Sequence, residues 1–192
     1  MMATQTTTTF TFIPSPMGRL CLTRDGDTLS GLFTGTDKDT PVRTTEWVED
    51  PSGFDEAIRQ LGEYFAGTRR TFDLPLEPRQ GTPFQRDVWK ALRTIPFGET
   101  ATYGEISRRV GRVSAVRAVG AAVGRNPWGI IVPCHRVLGA NRTLTGFAGG
   151  IAKKRWLLEH EGVNVDGGSD HDDPRARIRA AKGSVLQMSF EE

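Results

Sequence analysis

The chain has 192 residues, 37% of them hydrophobic and 25% charged, with 25 Lys and Arg against 23 Asp and Glu. That length holds one large domain or two small ones, and the composition is that of a folded globular protein rather than a disordered or fibrous one. No apolar run reaches the roughly 18–20 residues a membrane span needs, and two cysteines are too few for a disulfide framework.

The near-neutral total hides an asymmetry. Residues 1–83 carry 8 Lys and Arg against 12 Asp and Glu (net −4), residues 84–165 carry 13 against 5 (net +8), and residues 166–192 carry 4 against 6 (net −2). A basic segment between two acidic ones points to a polyanionic partner, with an unevenly charged solvated surface as the alternative. The opening "MMATQTTTTFTF" lacks the basic-then-apolar pattern of a secretory signal. With so few cysteines, a reducing cytoplasmic setting is expected.

The first third reads as β-structure with one helix. "TTTTFTFIP" has strand composition, and "GRLCLT" puts Leu20 and Leu22 on one face with Cys21 on the other. Asp25-Gly26 signals a hairpin into "TLSGLF". "FDEAIRQLGEYFAG" spaces Phe54, Ile58, Leu61 and Phe65 as a helical stripe, stopped at Gly67. "RTFDLPLEP" reads as a short edge strand broken by Pro75 and Pro78.

The second part opens on a marked helix start. Thr82 is the N-cap, Pro83 takes the first helical position, Gln85 completes a capping box, and Phe84, Val88, Leu92 and Ile95 form the stripe. "YGEISRRV" and "SAVRAVGAAVGR", separated by a turn at Gly111, read as a helix-turn-helix. The second of these helices, Ser114 to Gly124, is faced with small residues and projects one arginine, Arg117. A helix that reads base edges in the major groove carries several long polar side chains. A slim one suits close approach to a narrow groove with an inserted arginine, or else close packing inside the protein. "WGIIVP" is a β-branched apolar run and reads as a buried strand. "IAKKRWLLEHEG" is a last helix, stopped at Gly162. The tail beyond Val165 is Gly/Asp-rich and then Arg-rich; it is either disordered or packed through Val185, Leu186 and Met188.

The chemistry centres on "IVPCHRVL", where Cys134 adjoins His135, one of three histidines. A thiol needs a lowered pKa or a base to act as nucleophile, and Arg136 adds positive charge nearby. Neighbours on an extended strand point to opposite sides, so direct Cys134–His135 contact needs a bend or a bridging water. The pair can also be a buried structural cysteine beside a polar residue. Cys134, His135, His160 and Glu161 lack the ligand spacing of a zinc site, and no metal is expected.

The chain resembles the methylated-DNA–protein-cysteine methyltransferases, which repair guanine alkylated on its exocyclic oxygen. The resemblance rests on "FQRDVWKALRTIPFGETATYGEIS", "RAVGAAVGRNP", "IVPCHRVLG", "LTGFAGG" and "KRWLLEHEG", in that order from Phe84 to Gly162. The N-terminal third matches more loosely, through its element pattern and "SPMGRL".

The resemblance implies an α/β fold. An N-terminal ribonuclease H-like sheet with a helix (1–82) would precede a mostly helical domain bearing the turn motif and the acceptor cysteine (83–165), with a tail over 166–192. It implies a monomer that needs no cofactor. The partner would be double-stranded DNA carrying an alkylated guanine, bound through the minor groove, with the damaged nucleotide flipped out of the stack. Cys134 would take the alkyl group irreversibly, once per molecule. His135 would be the base, acting through a water, and Glu161 would orient it. Tyr103 would donate a proton to the leaving base. Asn126 would hold the turn between the DNA-binding helix and the active-site strand. Ser114, Arg117, Ala118, Gly120, Ala121 and Tyr103 would meet DNA, with Arg117 filling the vacated place in the stack. Val137, Phe147, Ala148 and Gly149 would form the substrate pocket. Phe147 stands where a tyrosine is common, and the N-terminal zinc ligands of some members are missing. Two other classes share some of these features: a module that senses alkylated DNA without repairing it, and a Cys–His hydrolase.

Overall fold

The computed structural model describes residues 7–34, 47–166 and 177–178. Strand β1 (Thr8–Ile13) pairs antiparallel with β2 (Leu20–Asp25), which pairs antiparallel with β3 (Thr28–Thr34). The β2–β3 hairpin turns at Gly26, whose φ of +59° lies in the left-handed region that glycine enters at no steric cost. A two-residue strand, β4 (Val48–Glu49), adds parallel to β1, so the sheet order is β3-β2-β1-β4. Leu20 and Leu22 are buried as the alternation predicts; Cys21, on the opposite face, is buried as well.

Helix α1 (Asp55–Phe65) has Gly67 just beyond it at φ +76°. Its inner face differs from the predicted stripe. Ala57, Gln60, Leu61 and Tyr64 are buried, whereas Ile58 is 36% exposed. Apolar character favours Ile58, yet the helix turns Tyr64 inward, where its hydroxyl has a partner. The predicted edge strand over 70–78 is reduced to one parallel bridge, Leu76 to Leu29, because two prolines cannot supply ladder N–H groups.

Helix α2 (Pro83–Leu92) starts with the expected capping box: Thr82 accepts from the Gln85 N–H, and the Gln85 side chain accepts from the Thr82 N–H. Val88, Trp89, Leu92 and Ile95 are buried, while Phe84 is half-buried. After β5 (Ala101–Thr102), Thr102 and Glu105 form a second capping box that starts α3 (Tyr103–Arg109). Helix α4 (Val116–Gly124) then completes the helix-turn-helix and packs against α2 and α3. The Trp89 indole N–H anchors it by donating to the Ala122 carbonyl at 2.9 Å.

The predicted strand over 128–133 does not form. Those residues make turns, with one parallel bridge from Trp128 to Leu32. Ile130 is fully buried at φ +71°, which no extended run permits. Cys134–Arg136 form a single 3-10 turn, followed by β6 (Val137–Leu138), which runs parallel to β5. A continuous apolar run records burial but not backbone direction. Helix α5 (Ile151–His160) ends at Gly162 (φ +82°) as predicted. Beyond it, β7 (Val165–Asp166) pairs antiparallel with β8 (Arg177–Ile178), the described part of the segment after Val165. Val185, Leu186 and Met188 lie outside the described residues.

One core runs through both halves. Leu20, Leu22, Leu61 and Tyr64 from the first share it with Val88, Ile106, Val119, Val132 and Leu157 from the second. No helix among the described residues is long and apolar enough to cross a membrane.

Candidate active site

Cys134 lies on the wall of a small cavity of about 60 Å³. The wall combines Thr34 at the end of β3, Val123 and Gly124 at the end of α4, Asn126, and Phe147, Ala148 and Gly149. Three of the expected pocket residues are therefore there. The fourth, Val137, is not: it is fully buried in β6 behind the cysteine. Gly149 has no room for a larger residue, since a Cβ would fall 2.6 Å from Thr34 Oγ1.

Asn126 shapes the approach to the cysteine. Its amide nitrogen donates to the carbonyls of Val132 at 2.8 Å and Trp128 at 3.2 Å, and its oxygen accepts from the Trp128 N–H at 3.1 Å. Trp128 is held in turn by Leu29, whose carbonyl accepts the indole N–H at 2.8 Å. The chain therefore doubles back from α4 to the cysteine on side-chain hydrogen bonds.

Behind the cysteine lies a buried polar cluster. His135 is fully buried, and its Nε2 is 2.8 Å from Glu161 Oε1. The 3-10 turn, not a strand, sets the relation between Cys134 and His135. His135 Nδ1 is buried with no hydrogen-bond partner among the described residues. Glu161 accepts four more bonds. Two come from Arg136 (Nε to Oε2 at 2.7 Å, Nη2 to Oε1 at 2.9 Å), one from the Gly98 N–H at 3.2 Å, and one from the Tyr64 hydroxyl at 2.8 Å. The charge assigned to Arg136 beside the cysteine is thus taken up by Glu161, and the Arg136 Nη1 donates to the Ile95 carbonyl at 2.6 Å.

Electrostatics follow from this burial. Burial alone would raise the Glu161 carboxyl, but hydrogen bonds from His135 and Arg136 outweigh it and hold the group well below the usual range. Burial pushes the His135 imidazole down despite Glu161, so the ring is neutral at physiological pH. Burial pushes the Cys134 thiol up, opposed by hydrogen bonding from Asn126 and by the Lys154 ammonium. Lys154 is itself fully buried, donating to the carbonyls of Val137 at 2.5 Å and Thr145 at 2.7 Å, and burial brings it down to about 8.

Sequence reasoning missed Lys154, Tyr64 and Gly98. Lys154 lies three residues after Ile151 and four before Leu158, on a buried stripe of α5, and that spacing could have exposed it.

Tyr103 opens α3 beside the cavity mouth. Its hydroxyl makes long contacts of 3.4 Å to the Thr145 carbonyl and 3.5 Å to the Gly146 carbonyl, and its ring faces Gly120 on α4. Burial raises its phenol, so it remains a proton donor. Helix α4 turns Val119, Ala122 and Val123 inward. Ser114, Arg117, Ala118 and Ala121 are exposed and Gly120 is half-buried, flanked by Val113 and Val116 at 68% and 40% exposure. The inward face of the helix carries the close packing, and its opposite face leaves the small residues and Arg117 exposed. Among the described residues no three His, Cys, Asp or Glu side chains gather as a metal site.

Residues 83–163 match the family of the 6-O-methylguanine DNA methyltransferase DNA-binding domain, and residues 9–78 match its ribonuclease-like domain. The methylated-DNA–protein-cysteine methyltransferase of Mycobacterium tuberculosis is 52% identical over 149 residues, covering 78% of this chain and 89% of that protein. The Methanosarcina acetivorans protein of the same name is 48% identical over 153 residues, covering 80% and 97%. The crystal structure of the M. tuberculosis protein in complex with DNA superposes with a TM-score of 0.74 at 49% identity, covering 80% of this chain and 92% of that one. The chain belongs to the methylated-DNA–protein-cysteine methyltransferase family.

Proposed function

We infer that this chain repairs guanine alkylated on its exocyclic oxygen by moving the alkyl group onto its own Cys134. One observation carries the choice of residue: a thiol on a cavity wall is followed directly by a buried neutral histidine that is bonded to a buried carboxylate. In the reaction, Sγ attacks the alkyl carbon and the carbon–oxygen bond breaks. The thiol proton passes through a water to His135 Nδ1, the nitrogen left without a partner. Glu161 fixes the other ring nitrogen and stabilises the charge that develops. The departing guanine carries the bond's electron pair and takes a proton from the Tyr103 hydroxyl. The protein is left with a stable thioether, so each molecule acts once. No cofactor enters the step, because the lesion is itself the alkyl donor.

The partner is double-stranded DNA, met through the minor groove by the exposed small face of α4. Ser114, Ala118, Gly120 and Ala121 let the helix come close, and Arg117 fills the place of the extruded nucleotide. The DNA complex of the M. tuberculosis relative supports this reading. Asn126 holds the bend between that helix and the cysteine, and Phe147, Ala148 and Gly149 receive the alkylated base. The limits of the two matched family models support a division into an N-terminal unit over 1–82 and a DNA-binding, alkyl-accepting unit over 83–165, with 166–192 appended.

The test is a mass measurement. Incubated with a duplex containing one methylated guanine, the peptide bearing Cys134 gains one methyl group, to a limit of one equivalent. No gain at any excess of protein refutes the assignment.

A further inference from the structure

We propose that Tyr64 is a positioning residue for the Cys134 reaction: its hydroxyl, supplied by the N-terminal unit, fixes and moderates the Glu161 carboxylate through which His135 acts. The inference rests on the His135–Glu161 reading above.

Tyr64 is fully buried on α1, in a unit that supplies neither the cysteine nor the helix-turn-helix. It is nonetheless tied to consecutive residues of the far end of α5. Its carbonyl accepts from His160 Nε2 at 2.7 Å, and its hydroxyl donates to Glu161 Oε1 at 2.8 Å. The rings of Phe65, Phe72 and Phe97 pack around the phenol and the His160 ring stands against it, so the hydroxyl has little freedom to turn away. Burial and the adjoining carboxylate both raise the phenol, which keeps it a donor throughout the working pH range.

The consequence follows from the count of donors. Glu161 Oε1 accepts from Tyr64, His135 and Arg136, yet a carboxylate oxygen offers about two lone-pair sites. Tyr64 therefore draws away charge that would otherwise be concentrated on His135 Nε2. Without its hydroxyl, Glu161 pulls harder on the His135 N–H, and the opposite nitrogen becomes more basic. The thiol proton then leaves more readily, and Cys134 becomes nucleophilic at lower pH. The titratable and charged groups facing this cluster are Arg136, Lys154 and His160, with Tyr103 near the thiol and Arg70 against Phe97. Tyr64→Phe alters the charge of none of them.

The experiment measures S-alkylation of Cys134 in the full chain by iodoacetamide across pH, assigned by peptide mass, so it needs neither DNA nor the repair reaction. Tyr64→Phe should lower the midpoint by about half a pH unit, Glu161→Gln should raise it, and the double variant should match Glu161→Gln alone. An unmoved midpoint in Tyr64→Phe beside a moved one in Glu161→Gln overturns the inference and leaves the relay standing. No movement in either removes both. If Tyr64→Phe does not fold, 3-fluorotyrosine replaces tyrosine in a Tyr103→Phe background, where Tyr64 is the remaining tyrosine. The more acidic phenol donates more strongly and should raise the midpoint; an unchanged midpoint there also overturns the inference. A role in packing alone lowers stability without moving either profile.

Discussion

Glu161→Gln exchanges one buried oxygen for an NH2 group and tests how the cluster behind Cys134 is held. Glu161 Oε1 accepts three donors and Oε2 accepts two. Whichever way the amide turns, its nitrogen meets a donor, and the buried Arg136 guanidinium loses its counter-charge. Removing one partner of a buried pair costs about 3–5 kcal/mol, against a total stability of about 5–15 kcal/mol for a typical domain. With a urea slope of about 2–3 kcal/mol/M, the unfolding midpoint should fall by about 1–2.5 M. Adding Arg136→Met removes the stranded charge, so the double variant should be about 2 kcal/mol more stable than Glu161→Gln alone. The sign with pH is also fixed. The folded carboxyl is depressed, so its stabilisation is complete above the unfolded value of about 4.3 and is lost as pH falls toward the folded one. The gap between the native protein and Glu161→Gln should therefore narrow below about pH 4. A loss under about 1 kcal/mol at pH 7, or a double variant weaker than the single, would refute the reasoning.

Two further outcomes follow from neighbouring residues. Asn126→Ala removes three hydrogen bonds to the backbone around Trp128 and Val132. It should cost about 2–3 kcal/mol in denaturant unfolding and slow methyl transfer more than tenfold at unchanged DNA affinity; a rate within twofold of native argues against its role in setting the bend. Lys154 is held down to about 8 against an ordinary value of 10.5, so between those values the unfolded chain binds more protons and stability rises with pH. The native protein should gain up to about 1.4 kcal/mol per pH unit in that window relative to Lys154→Met, and parallel profiles for the two would show that the burial of Lys154 carries no such cost.

The part of the cluster around Cys134 that was legible lies close together along the chain or follows a family pattern. Cys134 and His135 are neighbours, and Asn126 closes a short turn onto them. The capping boxes at Thr82 and Thr102 are local chemistry, and of these the first was read directly. What could not be read was long-range. Nothing in "LGEYF" says that Tyr64 rather than Phe65 faces inward; its hydroxyl finds Glu161 across 97 positions. The apolar run at 128–133 announced burial, but its path depends on Asn126 and on Ile130 in a left-handed conformation. Arg136 is close to the cysteine along the chain, but its charge is taken up by Glu161, 25 positions away, a pairing that the local sequence does not announce.

The Glu161 cluster has a consequence for the order of assembly. Its bonds span 97, 63, 26 and 25 positions of sequence, to Tyr64, Gly98, His135 and Arg136. Contacts of such separation form late, after the chain between them has lost its freedom. A growing chain that has already made its first sheet, its helix-turn-helix and its cysteine still lacks the carboxylate. The His135–Glu161 pair is therefore among the last parts of the site to be completed. Until then Cys134 lacks the oriented histidine on which the proposed transfer depends.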